Sequence, residues 1–179
     1  MVTPPSTHGT LPVSPPVIRG ALAADAPRLV ALNNGAVPAV PEVSLEEMAA
    51  LLEASSWSVV AERDGVVVGF VICFDPGVSY DSENYRYFEA RYPSHFYIDR
   101  IVIDPDHRGA KWGARLYAEV FNRAEEQGHA QVTCEVNLEP PNPASIAFHR
   151  RMGFVDVDTQ ATKGGSVVVQ LMAAPARHV

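Results

Sequence analysis

The stretch "IDPDHRGAKWGARLYAEVF", residues 103–121, leaves a β-branched strand, crosses a turn of glycines and positive charges, and enters an apolar-periodic helix. Just before it, "FYIDRIVIDP" reads as a strand stopped by Pro105. Beyond the turn, Leu116, Val120 and Ala124 share a helical face with Tyr117 and Phe121 beside them, and Gly128 ends the helix. "AQVTCEVNL" is the next strand. A strand, helix, strand succession needs a crossover, so these two strands are expected to run parallel.

Working outward, "VIRGAL" from Val17 reads as a short strand. A helix follows from a cap near Asp25 to Gly35, with Pro27 tolerated in its first turn. "SLEEMAALLEAS" sets Ser44 three residues before Glu47, the capping-box spacing, with Leu45, Met48, Leu51 and Leu52 on one face. "SWSVVAERDGVVVGFVICF" predicts two strands joined by Asp64-Gly65, a hairpin signal. Residues 75–95, rich in tyrosine and acid, show no clear period and read as a long loop that lines a pocket or packs on itself. After "EPPNP" come a short helix, "ASIAFHRRMG", and strands near "FVDVDT" and "SVVVQLM".

The expected class is α+β, with a mixed, mostly antiparallel sheet of about seven strands and about four helices. Residues 1–16, dense in Pro, Ser and Thr, read as a flexible tail before a single domain at 17–179.

A hydrophobic fraction of 47% with 20% charged residues is a globular balance. The net charge of −7 disfavours nucleic acid as a partner and suits a cationic substrate better. No apolar run is long enough to span a bilayer, so no membrane partner and a cytoplasmic location are expected. Cys73 and Cys134 sit in apolar runs and read as reduced core residues, and the six histidines show no zinc-type spacing, so no metal is expected. His107 and His129 read as turn or surface residues.

The turn itself is the candidate site. A helix N-terminus presents unpaired N–H groups and positive dipole, which suits an anion. Gly109 and Gly113 allow close approach, and Arg108, Lys111 and Arg115 add charge. The spacing fits neither a P-loop, which also needs a Ser or Thr after its Lys, nor the three-glycine dinucleotide fingerprint.

What remains, Arg108-x-x-Lys111-x-Gly113-Ala114 after a strand, resembles the central motif of the GNAT superfamily of acyl-CoA-dependent N-acetyltransferases. Lys111 stands where that family's first glycine is usual. "NPASIAFHRRMGF" resembles a second motif, an Asn followed seven residues later by Tyr and then Gly-Phe: Asn142, Gly153 and Phe154 match, and His149 holds the tyrosine position. The resemblance covers roughly 17–171 and is strongest over 97–154. It implies acetyl-CoA as acyl donor, with the backbone of Ile101, Val102 and Ile103 along its pantetheine arm. Main-chain amides of Arg108, Gly109 and Ala110, and of Lys111, Trp112, Gly113 and Ala114, would hold the diphosphate. Asn142 and Ser145 would also meet the cofactor.

The implied reaction is acetyl transfer to a primary amine of a small molecule or peptide N-terminus by direct attack in a ternary complex. An alkylammonium with a pKa of about 10 must first lose a proton, so a carboxylate is wanted. Alternation places Asp99 on a face with Ile101 and Ile103, and Glu135 on one with Thr133 and Asn137. Either is a candidate base; the plainer reading is a carboxylate paired with a neighbour such as Arg100. His149 is the candidate proton donor to the leaving sulfur, competent only while protonated, so activity would fall with rising pH. The acidic 75–95 segment and "NNGAVPAVPEV" at 33–43 are the expected substrate walls, and a second copy of the chain is a candidate partner. The alternative is an acyl-CoA-binding module without efficient chemistry.

Overall fold

Asp64 and Gly65 both take positive φ, 52° and 77°, the twist that suits a two-residue hairpin, and they join β2 (Trp57–Arg63) to β3 (Val66–Phe74). The computed structural model describes residues 17–177; the tail read at 1–16 lies outside the described residues. The other strands are β1 (Val17–Gly20), β4 (His95–Ile103), β5 (Gln131–Glu139), β6 (Val155–Thr162) and β7 (Val167–Pro175), in one sheet ordered β1-β2-β3-β4-β5-β7-β6. Among the described residues only β4 and β5 pair in parallel. That is the pair the strand, helix, strand succession required.

Five α-helices cover the sheet among the described residues: α1 (Ala26–Asn34), α2 (Leu45–Ala54), α3 (Glu83–Arg91), α4 (Trp112–Glu126) and α5 (Pro143–Arg151). The helix beyond the expected four is α3, inside the segment read as a loop. Ser82 caps it by accepting from the Tyr85 amide, and Tyr85 and Phe88 bury one side. The capping box of α2 forms as its spacing predicts: Glu47 N–H donates to Ser44 Oγ at 3.1 Å, and Ser44 N–H to the Glu47 carboxylate at 2.7 Å. Leu45, expected on the apolar face, is exposed, while Met48 and Leu51 are buried.

The sheet separates two cores. On one face α4 and α5 set Leu116, Tyr117, Val120 and Ile146 against Val71, Phe96 and Val132. On the other, α1, α2 and α3 set Leu29, Met48 and Phe88 against Phe70, Ile72 and Tyr97. Full burial of each such apolar side chain stabilises by about 1.5–3 kcal/mol.

Candidate active site

The parallel pair is short. His95, Phe96 and Tyr97 face Gln131, Val132 and Thr133, and there the pairing stops. β4 continues to Ile103 held only by β3, while β5 continues to Glu139 held only by β7. The two strands therefore fork, and a cavity of about 1020 Å³ runs through the sheet at the fork, reaching residues of both cores. Ile101, Val102 and Ile103 lie along its β4 side. Gly69 lets β3 hold that edge closely: a Cβ there would stand 2.6 Å from Ile103 Cδ1 and 2.9 Å from the Val102 carbonyl.

At the α4 end, Asp104 shapes the turn by accepting from the Asp106 amide at 3.0 Å and pairing with Arg28. Arg108 already donates its N–H to the Pro105 carbonyl at 3.3 Å, so the unpaired run begins after it. Gly109 takes φ 84° with open space where a Cβ would be, and Lys111 takes the left-handed conformation, φ 61°, ψ 19°, as N-cap of α4. The first helical bond returns from Arg115 N–H to Lys111 O, so the amides of Lys111, Trp112, Gly113 and Ala114 precede any helical partner. Gly113 packs under Phe148, whose ring would stand 3.3 Å from an added Cβ. Arg108, Lys111 and Arg151 line this mouth. Main-chain donors, helix dipole and three cations together fit a diphosphate-bearing ligand.

On the same side, Asn142 caps α5 by accepting from the Ser145 amide at 3.3 Å. His149 is buried with both ring nitrogens occupied: Nδ1 lies 2.8 Å from the Ser145 carbonyl, and Nε2 meets the Tyr117 hydroxyl. A carbonyl only accepts, so Nδ1 carries the proton and Nε2 receives the Tyr117 O–H. Burial pushes the imidazole below its ordinary pKa, against the smaller opposing effect of the Ser145 carbonyl. The protonated imidazole envisaged from sequence is thus not the form this environment favours.

The carboxylates sit on the other side of the sheet. Glu135 shares its face with Thr133 and Asn137, as alternation requires; the Tyr97 hydroxyl bridges its two oxygens at 3.0 and 2.9 Å. It keeps part of its surface open to the cavity. Its pKa is pushed up to about 8 by burial first and the Asp99 charge second, opposed by hydrogen bonds from Tyr97 and Asn84 and by the Arg100 charge.

Asp99 departs from the expected face. Ile72 pairs with Arg100 and Cys73 with Ile98, so Asp99 is an extra, bulged residue. The bulge shifts the alternation: Ile101 and Ile103 pack with the α4 core, while Asp99 turns to the other face beside Tyr80 and Arg100. Both its oxygens are engaged, Oδ1 by the Tyr80 hydroxyl and Oδ2 by Arg100 Nε at 2.6 Å. Arg100 also donates to Asn33 Oδ1 at 2.9 Å. Tyr80 stacks on Phe74, with ring centroids 4.0 Å apart.

The cavity at the fork is lined by the site residues proposed from sequence except Ala110, and Arg115, read as adding charge to the turn, does not line it. The fork adds Tyr97, Tyr117, Arg151 and Asn84, which sequence reading did not place there. Tyr97 was within reach, since it lies two residues before Asp99 on the same strand; Tyr117 looked like any core aromatic of α4. Cys73 and Cys134 are buried free thiols, and no His, Cys, Asp and Glu group among the described residues is arranged to hold a metal. No described helix is long and apolar enough to cross a membrane.

A forked mixed sheet thus sets a basic helix N-terminus on one face and a half-buried carboxyl on the other. The model of the acetyltransferase (GNAT) family matches residues 29–154, and the chain belongs to that family. Among solved structures it resembles yncA, a putative acetyltransferase from Salmonella typhimurium solved with acetyl-CoA, at 22% identity and TM-score 0.70, covering 93% of this chain and 96% of that one. It also resembles ribosomal-protein-alanine N-acetyltransferase from Brucella melitensis, at 26% identity and TM-score 0.68, covering 89% and 99%. Ard1 from Thermoplasma volcanium aligns at 17% identity and TM-score 0.75, covering 91% and 99%. No curated protein matches the sequence.

Proposed function

We propose that the chain transfers an acetyl group from acetyl-CoA to a primary amine by direct attack, with Glu135 as general base. The observation that carries this reading is the fork: its cavity joins a basic helix N-terminus on one face to Glu135 on the other.

Acetyl-CoA, when bound, supplies an activated acyl group. The amides of Gly109, Ala110, Lys111, Trp112, Gly113 and Ala114 would hold its diphosphate, with Arg108, Lys111 and Arg151 contributing charge. The unpaired edge at Ile101, Val102 and Ile103 would take the pantetheine amides, and Asn142 and Ser145 would line its path. A backbone N–H of that edge would polarise the acyl carbonyl.

On the acceptor side, Glu135 takes one proton from the incoming ammonium; as the amine nitrogen bonds to the acyl carbon and the C–S bond breaks, the extra proton left on that nitrogen would pass to the departing thiolate, giving amide and free thiol. Its raised pKa suits it to an amine far better than an ordinary carboxylate near 4.3 would be. Tyr97 holds the carboxylate in one orientation. Asp99, with both oxygens engaged, supplies negative charge that attracts the ammonium rather than a free lone pair. His149, neutral and bonded at both nitrogens, fixes Tyr117 and the donor wall; it is a positioning residue in this reading.

The test is Glu135→Gln, which keeps the Tyr97 contact and removes the base. Turnover, followed as free thiol released from acetyl-CoA in the presence of amine, should fall by about 10²–10⁴-fold with little change in the KM for acetyl-CoA. Unchanged turnover would overturn the assignment.

A further inference from the structure

The loop between α1 and α2, residues 36–42, is a strap across the acceptor side of the fork. It is fastened at both ends. Asn33, fully buried, donates to the Pro41 carbonyl at 2.8 Å, and Asn34 exchanges bonds with Val43 at 2.9 and 3.0 Å. From the far strand, Asn137 donates to the Pro38 carbonyl at 2.9 Å. The strap thus links α1 to β5 over the gap that β4 and β5 leave. Pro38 and Pro41 preset its backbone, which makes it a fixed wall rather than a closing lid.

That wall is apolar and offers few hydrogen-bonding groups. Neither proline has an N–H. The Ala36 and Ala39 amides bond to the Asn33 and Ala36 carbonyls, and the Pro38 and Pro41 carbonyls are taken by Asn137 and Asn33. Opposite stand Val102, Val167 and Val169. β7, which carries the last two, is paired along both edges, by β5 and β6. A polypeptide entering here would find both edges of β7 taken and no N–H on either proline, so only the short β4-facing edge of β5 is left to pair with its amides.

Charge is concentrated at the inner end, in Asp99, Glu135 and Arg100, with Glu42 and Lys163 elsewhere on the lining. Arg100 is already committed to Asp99 and Asn33, so it is not available to a substrate carboxylate. Along the valine and proline walls themselves a second cation would meet no carboxylate, the nearest on the strap being Glu42 at its outer end.

We infer that the acceptor is a small monoamine on an apolar body, its ammonium seated at Glu135 and Asp99 and its hydrocarbon held between the strap and the β7 valines. This rests on the N-acetyltransferase reading above and narrows its substrate class. The experiment measures amine-dependent thiol release by the full chain with acetyl-CoA and three acceptors: phenethylamine, spermidine and a hexapeptide with a free N-terminal alanine. Phenethylamine should exceed the other two in kcat/KM by at least tenfold. Asn137→Ala, which unfastens the strap, should raise the KM for phenethylamine several-fold and leave that for acetyl-CoA unchanged. Val40→Asp, on the half-buried strap wall, should move preference from phenethylamine toward spermidine. A wild-type preference for the hexapeptide or spermidine would overturn the inference while leaving N-acetylation standing. Turnover of none of the three overturns the inference, and if acetyl-CoA still stabilises the fold, the catalytic reading falls with it.

Discussion

Glu135 and Lys111 each hold a side chain or a backbone where elementary preference would not put it, and each yields a measurable consequence. Because burial and the Asp99 charge raise the Glu135 pKa to about 8, the proposed base is protonated at neutral pH and would become competent as pH rises. Amine turnover should therefore climb through pH 7 to 9. This is the opposite of the fall that a protonated His149 would produce. Asp99→Asn removes the repelling charge and leaves Arg100 attractive, so the acid limb should move to lower pH; a pH profile of kcat/KM with saturating acetyl-CoA checks it. A limb that stays in place would mean that Asp99 does not act on Glu135. Lys111 adopts positive φ without being glycine, a conformation that costs an L-residue about 1 kcal/mol. Lys111→Gly should accordingly raise Tm by roughly 2–4 °C in a chain of this size. It also removes one cation from the donor mouth, so the KM for acetyl-CoA should rise several-fold, more at low salt than at high.

At the scale of elements, the β3–β4 contact sets the position of the donor edge. Gly69→Ala would drive a methyl into Ile103 Cδ1 and, less forgivingly, toward the Val102 carbonyl, which cannot turn aside as a side chain can. The expected cost is about 1–3 kcal/mol in a urea unfolding series, with a raised KM for acetyl-CoA because β4 is displaced. No loss of stability would show that the strands can part at no cost. The same elements show what a sequence discloses and what it withholds. The hairpin at Asp64-Gly65, the capping box at Ser44 and the crossover through α4 are local: a few neighbouring residues determine each, and each formed. The turn at Gly109 and Gly113 was legible for the same reason, as were Glu135 and its face. α3 was missed because Tyr85 and Phe88 give only one turn of apolar spacing amid charge, and packing on Tyr97 completes it. The face of Asp99 was misread because alternation assumes an unbroken pleat, whereas the bulge is visible only in the register with β3. The Tyr117–His149 bond and the Asn137–Pro38 tie join residues 32 and 99 positions apart, and nothing local announces either.

Across the whole molecule, the cavity at the fork is lined by residues from both faces of the sheet, and the two ends of that lining differ in character. Arg108, Lys111 and Arg151 line it near the start of α4 and at α5; Glu42, Lys163 and the apolar strap line it on the other face. Against a net charge of −7, the first is a local basic patch in an acidic field. In the proposed reaction donor and acceptor would then be present together, each reaching the fork from its own side. A covalent relay would instead need a nucleophile at the fork. The one thiol lining it, Cys134, is buried, and burial, with Glu135 and Cys73 close by, pushes its pKa well above the ordinary range, so thiolate is scarce. Initial rates measured against both substrates should then give lines that intersect in double-reciprocal form, and mixing enzyme with acetyl-CoA alone should release less than one equivalent of free thiol. Cys134→Ser should leave the intersecting pattern intact. Parallel lines accompanied by a stoichiometric thiol burst, lost in Cys134→Ser, would place an acetylated cysteine between the two half-reactions and remove the need for the two sides to be occupied at once.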